Sequence, residues 1–149
     1  MYMGTYTKIV YHIVFGTKYR QKILSSEHRT TLNKYFGAIL RNKKCVPIEI
    51  NNHLDHVHIL TSIHPTICLS EIVKDLKVAS SLHIKKNSMF KGFNSWQEGY
   101  GAFTVSSNQI HVLINYIKNQ KEHHSRKCFK SEFEEYLREY QIDFYPKYI

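Results

Sequence analysis

The sequence predicts an α+β fold, a split βαβ antiparallel sheet with helices on one face and extra helices at the C-terminal end. Two observations predict it. Stretches rich in β-branched and aromatic residues alternate with stretches of helical apolar spacing in the order β-α-β-β-α-β, and two more helical stretches follow the last strand. The two middle strands are separated by only a short polar turn, which suits an antiparallel pair. With 149 residues the chain fits one domain, 1–149, with a core over about 5–125 and a C-terminal helix and tail over 126–149.

The first strand is Thr5 to Thr17, dense in Ile, Val, Tyr and Phe and closed by Gly16. Lys18-Tyr19-Arg20-Gln21-Lys22 follows as a basic loop, read equally well as a solvated turn or as a phosphate contact. Ser25 or Ser26 is placed to cap a helix from Glu27, whose apolar face is Leu32, Tyr35, Phe36, Ile39 and Leu40. Val46 to Asn51 forms the second strand, with Pro47 tolerated near its start. A turn at Asn52 to Asp55 then leads into a third strand from His56. Ser70 to Lys85 has the spacing of a second helix, with Ile72, Val73, Leu76, Ala79 and Leu82 buried. Its Lys74 and Lys77 lie outside that stripe and are candidate nucleic-acid contacts, as are Lys18 and Arg20, although basic helix faces are commonly just solvated.

Residues 87–101 read as a polar loop holding the single tryptophan, Trp96. Ala102 to Ser106 is a short strand, after which Ser107 or Asn108 caps a third helix running to about His123. The fourth helix, Lys130 to Tyr140, has Phe133, Tyr136, Leu137 and Tyr140 on its apolar side, and the tail with Pro146 reads as extended. Leu113, Ile117, Phe133, Tyr136 and Tyr140 exceed what one small sheet easily covers, which predicts a homodimer.

Composition narrows the partners. Lys and Arg exceed Asp and Glu by 21 − 12 = 9, and the pI is near 9.4. That excess favours a polyanion, with nucleic acid ahead of an acidic membrane surface. Eleven tyrosines offer stacking surfaces for unpaired bases. Cys45, Cys68 and Cys128 are too far apart in sequence for a thiolate zinc motif. No secretion signal and no membrane-length apolar run are evident, so a cytoplasmic location is expected.

The candidate chemistry begins in the third strand. His56 and His58 alternate onto one face, so their imidazoles point the same way about 7 Å apart along the chain. Two neutral imidazoles side by side can grip a divalent ion. Tyr116 and Gln120, four apart in the third helix, project from one helix face. Tyrosine is a poor nucleophile near its pKa of about 10, and a nearby cation changes that by stabilising the phenolate. The plainer reading of Tyr116 is a core aromatic between Leu113 and Ile117.

Three segments together resemble the single-tyrosine HUH transposases, the small transposases of single-stranded insertion sequences and their REP-associated relatives. They are Tyr11 to Arg20, Leu54 to Leu60, and Tyr116-Ile117-Lys118-Asn119-Gln120. Gly99 to Ser106 is also similar to the REP-associated branch. The turn before His56 departs from the family's Met-Pro-Asp-His by reading His53-Leu54-Asp55. The resemblance implies a ferredoxin-like sheet and a homodimer acting on single-stranded DNA with hairpins. It implies Mg²⁺ or Mn²⁺ on His56, His58 and Gln120, with Tyr116 attacking a phosphodiester to form a 5′-phosphotyrosine link. A relative that binds DNA hairpins without cutting, or a plain RNA- or metal-binding module, are the alternatives.

Overall fold

The computed structural model describes residues 4–120 and 127–148. Its elements are β1 (Val10–Gly16), α1 (Arg29–Asn42), β2 (Val46–His53), β3 (His56–Ser62), α2 (Leu69–Lys86), β4 (Gly101–Thr104), α3 (Ile110–Lys118) and α4 (Phe129–Glu139). The four strands form one antiparallel sheet in the order β2-β3-β1-β4. The expected α+β class and element order therefore hold, and the histidine strand β3 is central.

Strand alternation sorts the sheet's residues onto two faces. Ile13, Phe15, Val57 and Ile59 point one way and pack with Leu32, Phe36 and Leu40 of α1 and Ile72, Val73 and Leu76 of α2. Each such fully buried aliphatic or aromatic side chain contributes about 1.5–3 kcal/mol of burial. The α2 stripe runs Ile72, Leu76, Ser80, Ile84 rather than through Leu82, which is 66% exposed. Ser80 belongs inside because its hydroxyl accepts the indole N–H of Trp96 at 2.9 Å. Trp96 in turn packs on Phe15 and Phe36, so the loop over 87–101 is pinned to the core. Lys77 tightens it further, donating from Nζ to the carbonyls of Gln97 and Gly99.

The other face was expected to be open, and it is not. Val10 and Leu60 are covered by Ile117 of α3, while Val14 and Phe103 are covered by Phe129 and Leu137 of α4. Gly101 makes that second contact possible, since a Cβ there would stand 2.5 Å from a ring carbon of Phe133. Leu113, Ile117, Phe133 and Tyr136 are thus used inside the chain, as is Tyr140, whose ring lies 5.0 Å from that of Phe103. The apolar stripes that predicted a homodimer are satisfied by the chain's own sheet.

Local entries to the helices also differ from expectation. Neither Ser25 nor Ser26 makes a side-chain cap; a 3₁₀ turn over Ser26–His28 leads into α1 instead. The third helix ends at Lys118, so Gln120 lies beyond its C-cap Asn119 rather than one turn along the same helix. The expected continuation to His123 lies outside the described residues. Both sheet edges are irregular. β2 starts at Val46-Pro47 and slips register between Pro47 and Glu49. The hydroxyl of Tyr140 donates to the carbonyl of Thr104, the last residue of the short β4, at 2.8 Å.

Candidate active site

His56 and His58 project from β3 beneath α3 and α4, and both are fully buried. Each is oriented by a neighbour. Asp55, in the turn between β2 and β3, places Oδ1 2.8 Å from His56 Nδ1. A carboxylate accepts there only if Nδ1 carries the proton, which makes Nε2 the unprotonated nitrogen, the one with a lone pair that suits a cation. His58 Nδ1 lies 2.7 Å from Nε2 of His12, whose ring stacks on it from β1. Burial, and then the proximity of His58, push the pKa of His12 well below the ordinary 6.5, so His12 is neutral. The same donor assignment turns Nε2 of His58 outward from that bond.

That Nε2 stands 3.0 Å from Oε1 of Glu132, a carboxylate on α4. Both groups are buried, and the pair lacks hydrogen-bond alignment. Among the described residues, ligand atoms of His56, His58 and Glu132 all lie within 4.8 Å of one another. Metal–nitrogen and metal–oxygen bonds of about 2 Å allow one ion to touch all three with small shifts. The imidazole and carboxylate donors are compatible with a divalent metal ion. His53 faces His56 across the strands with ring centroids 6.2 Å apart, but is not in this group. His123 and His124 lie outside the described residues.

Tyr116 enters from α3, its ring centroid 6.2 Å from that of His58. Its hydroxyl donates to the second carboxylate oxygen, Oε2, of Glu132. Burial first, then Glu132, raise the Tyr116 pKa well above the ordinary 10. One carboxylate therefore faces the histidines with one oxygen and the tyrosine with the other. Gln120 is buried, and neither atom of its amide has a hydrogen-bond partner among the described residues. Such an orphaned amide costs about 1–3 kcal/mol unless something binds it, and its carbonyl is a candidate ligand donor. A cavity of about 560 Å³ opens beside Tyr116, and His12, Glu132, Glu135, Tyr136 and Glu139 also line it.

The basic residues divide. Lys18 and Lys74 stay on the surface, whereas Lys77 is engaged inside the loop described above. Arg20 lies 4.2 Å from the ring of Phe129, on which His56 also stacks at 4.1 Å. The turn carrying Arg20 holds Tyr19 and Arg20 in the left-handed region, at φ 59 and 55. Non-glycine residues there cost about 1–3 kcal/mol each and cluster at functional sites. Gly16 leaves the space, since a Cβ there would meet the guanidinium at 2.7 Å.

Sequence reasoning singled out His56, His58, Tyr116 and Gln120 and did not single out Asp55, His12 or Glu132, which the structure places beside them. Glu132 did leave a signal, because it falls on the apolar stripe Phe129, Phe133, Tyr136, Leu137, where a carboxylate is out of place.

The chain is similar to known proteins in sequence and in fold. The sequence family described as "Transposase IS200 like" matches residues 5–120. The chain is 32% identical over 117 residues to the transposase of insertion sequence element IS200 from Salmonella typhimurium, covering 75% of this chain and 76% of that protein. It is 29% identical over 122 residues to the ISDra2 transposase TnpA of Deinococcus radiodurans, covering 78% and 87%. A crystal structure from Deinococcus radiodurans R1, provisionally described as a transposase, matches with a TM-score of 0.63 at 27% identity over 80% of this chain and 96% of that one. The structure of a REP-associated tyrosine transposase bound to a REP hairpin shares the fold, with a TM-score of 0.57 at 14% identity over 83% and 73%.

Proposed function

This chain belongs to the IS200-like transposase family, and from that premise we propose that it cuts and rejoins single-stranded DNA through a tyrosine-linked, metal-dependent reaction. The observation that carries the reading is the convergence of Tyr116, His56 and His58 on the single buried carboxylate of Glu132. His56 and His58 are the proposed anchors of Mg²⁺ or Mn²⁺, with Glu132 and Gln120 as the further oxygen donors. A divalent ion bound there supplies positive charge beside the tyrosine oxygen and the phosphate, which offsets the burial and the anion that hold Tyr116 protonated.

The protein's own groups do the rest. Asp55 and His12 keep the Nε2 atoms of His56 and His58 unprotonated and aimed. Tyr116 Oη forms a bond to the phosphorus while the bond to the 3′ oxygen breaks, leaving a 5′-phosphotyrosine and a 3′-hydroxyl. Glu132, the hydrogen-bond acceptor of Tyr116, takes the tyrosine proton, and solvent protonates the departing oxygen. Attack by another 3′-hydroxyl reverses the step and rejoins strands, since the phosphotyrosine conserves the bond energy. Hairpin DNA is the proposed target, consistent with the net charge of +9 and with a structural relative bound to a REP hairpin.

The test is incubation with end-labelled single-stranded DNA and Mn²⁺, followed by a search for a covalent adduct. Tyr116→Phe should retain fold and hairpin affinity yet form no adduct. If wild type forms none with any divalent ion, the hairpin-binding alternative replaces the enzyme.

A further inference from the structure

We propose that Tyr19 is a stacking platform for one unpaired nucleobase, held out beside the histidine strand by the strained turn that follows β1. The inference rests on the reading of the substrate as single-stranded DNA and adds the residue that receives one of its bases. Tyr19 takes φ 59 and ψ 20, and Arg20 follows it at φ 55. Two successive residues with a Cβ in the left-handed region are disfavoured by their own sterics. A free turn would relax from this shape, so its neighbours must impose it.

They do so through the main chain. Thr17 is fully buried, and its N–H donates to the carbonyl of Asp55 at 2.9 Å. Its hydroxyl donates to the carbonyl of Gln21 at 2.8 Å, closing the turn. The N–H of Lys18 bonds the carbonyl of Ser95 at 3.1 Å, and that of Tyr19 bonds Oε1 of Gln97 at 3.2 Å. Gln97 is itself fixed, because its N–H donates to the carbonyl of Gly16 at 2.8 Å. The turn is therefore clamped between the residue preceding His56 and the loop that Trp96 pins to the core.

None of this support reaches the Tyr19 ring. It is 77% exposed, and among the described residues its ring interaction is with the Lys18 ammonium, 5.4 Å from the centroid. The strain at Arg20 has a local reason, since that side chain lies over Phe129, on which His56 stacks. The strain at Tyr19 instead carries an aromatic ring outward on a rigid base, and strain without a packing return marks functional positions. A flat exposed ring flanked by two cations matches one nucleotide of a single strand. The ring takes the face of a base, and Lys18 and Arg20 take phosphates on either side. A base inside a duplex has both faces covered by its neighbours, so the platform selects unpaired ones. Its rigid mounting lowers the cost of ordering the contact.

The test reads binding, in Tyr116→Phe protein with Mn²⁺ so that the DNA stays intact. One probe is a single-stranded oligonucleotide carrying the fluorescent base 2-aminopurine at successive positions, and the other is a fully paired hairpin. Adding Tyr19→Ala should weaken the single strand by about five- to a hundredfold, the range for removing one stacked ring, and should relieve 2-aminopurine quenching at one position. Tyr19→Phe keeps the ring and should bind within about twofold of the parent. So should Tyr6→Ala, which removes a ring 84% exposed but outside any regular element. The hairpin should bind Tyr19→Ala as it binds the parent, and the salt slope should not change, because no phosphate contact is lost. Tyr19→Gly separates the ring from the fold. Glycine accepts a φ of 59 without strain, so this variant should unfold at or above the parent's temperature while losing affinity as Tyr19→Ala does. Earlier unfolding would give the ring a packing role and overturn the proposal. Equal weakening on hairpin and single strand, a loss in Tyr19→Phe, or no loss in Tyr19→Ala would overturn it too. If wild type forms no covalent adduct while these binding results hold, the nuclease reading fails and the platform stands; a wild type that binds no single-stranded DNA refutes both.

Discussion

Asp55 offers a graded test of the metal site that is separate from catalysis. Its carboxylate meets His56 Nδ1 at 2.8 Å, with side chains only 14% and 0% exposed, so water competes little for the bond. Loss of an outer-shell partner of a metal-binding histidine typically costs about 10–100-fold in metal affinity, or about 1.4–2.8 kcal/mol. Asp55→Asn can still accept from Nδ1 and loses only the charge, so its Mn²⁺ affinity should fall toward the tenfold end. Asp55→Ala removes the acceptor, frees the imidazole to place its proton on Nε2, and should approach the hundredfold end. Calorimetric titration with Mn²⁺ measures both, and thermal unfolding of the metal-free variants controls for fold damage. If both variants bind Mn²⁺ within twofold of wild type, His56 is not a ligand through Nε2 and the site is wrongly built.

Other perturbations probe the remaining parts. Glu132→Ala should weaken Mn²⁺ binding by more than an outer-shell change, because it deletes a charged donor; equal or tighter binding by equilibrium dialysis would exclude Glu132 as a ligand. Gly101→Ala drives a methyl into Phe133, whose ring carbons would lie at 2.5 and 2.8 Å. It should cost about 1–3 kcal/mol as overpacking does, visible as a lower urea midpoint; an unchanged midpoint would mean that α4 gives way freely. Lys77 has a pKa lowered below the ordinary 10.5 by burial, so just below pH 10.5 the unfolded chain binds the extra proton. Stability then rises with pH through that window, and wild type should gain on Lys77→Met as pH climbs toward 10.5. An opposite slope in paired urea titrations would refute the assignment.

Much of the molecule was legible because its periods are clean. The alternation of His56, Val57, His58 and Ile59 set both the strand and its two faces, and Leu32, Phe36 and Leu40 marked the buried side of α1. Pattern reasoning failed where a side chain's place depends on a distant partner. Ser80 displaced Leu82 from the α2 stripe because Trp96, sixteen residues on, needed an acceptor. His12 reads as an ordinary strand residue until β1 lies beside β3. Glu132 joins the site only when α4 folds back over the sheet, a long-range event with no local signature beyond a carboxylate on an apolar stripe. For the same reason the homodimer argument weakened, since sequence counts apolar side chains but not the surface that the chain itself provides for them.

The sheet's two borders bear on how the protein behaves when crowded. An exposed border strand is a template on which another chain can add, and the usual outcome is aggregation. Here Pro47, the second residue of β2, has no N–H to offer, and the strand then loses register before Glu49. At the other border, the short β4 has its last carbonyl already taken by Tyr140. An incoming strand finds few consecutive donors and acceptors on either side. A basic protein that must stay dispersed while its partner is a long polyanion gains from both blunted borders, and Tyr140→Phe should reopen one of them, raising light scattering on prolonged incubation at high concentration.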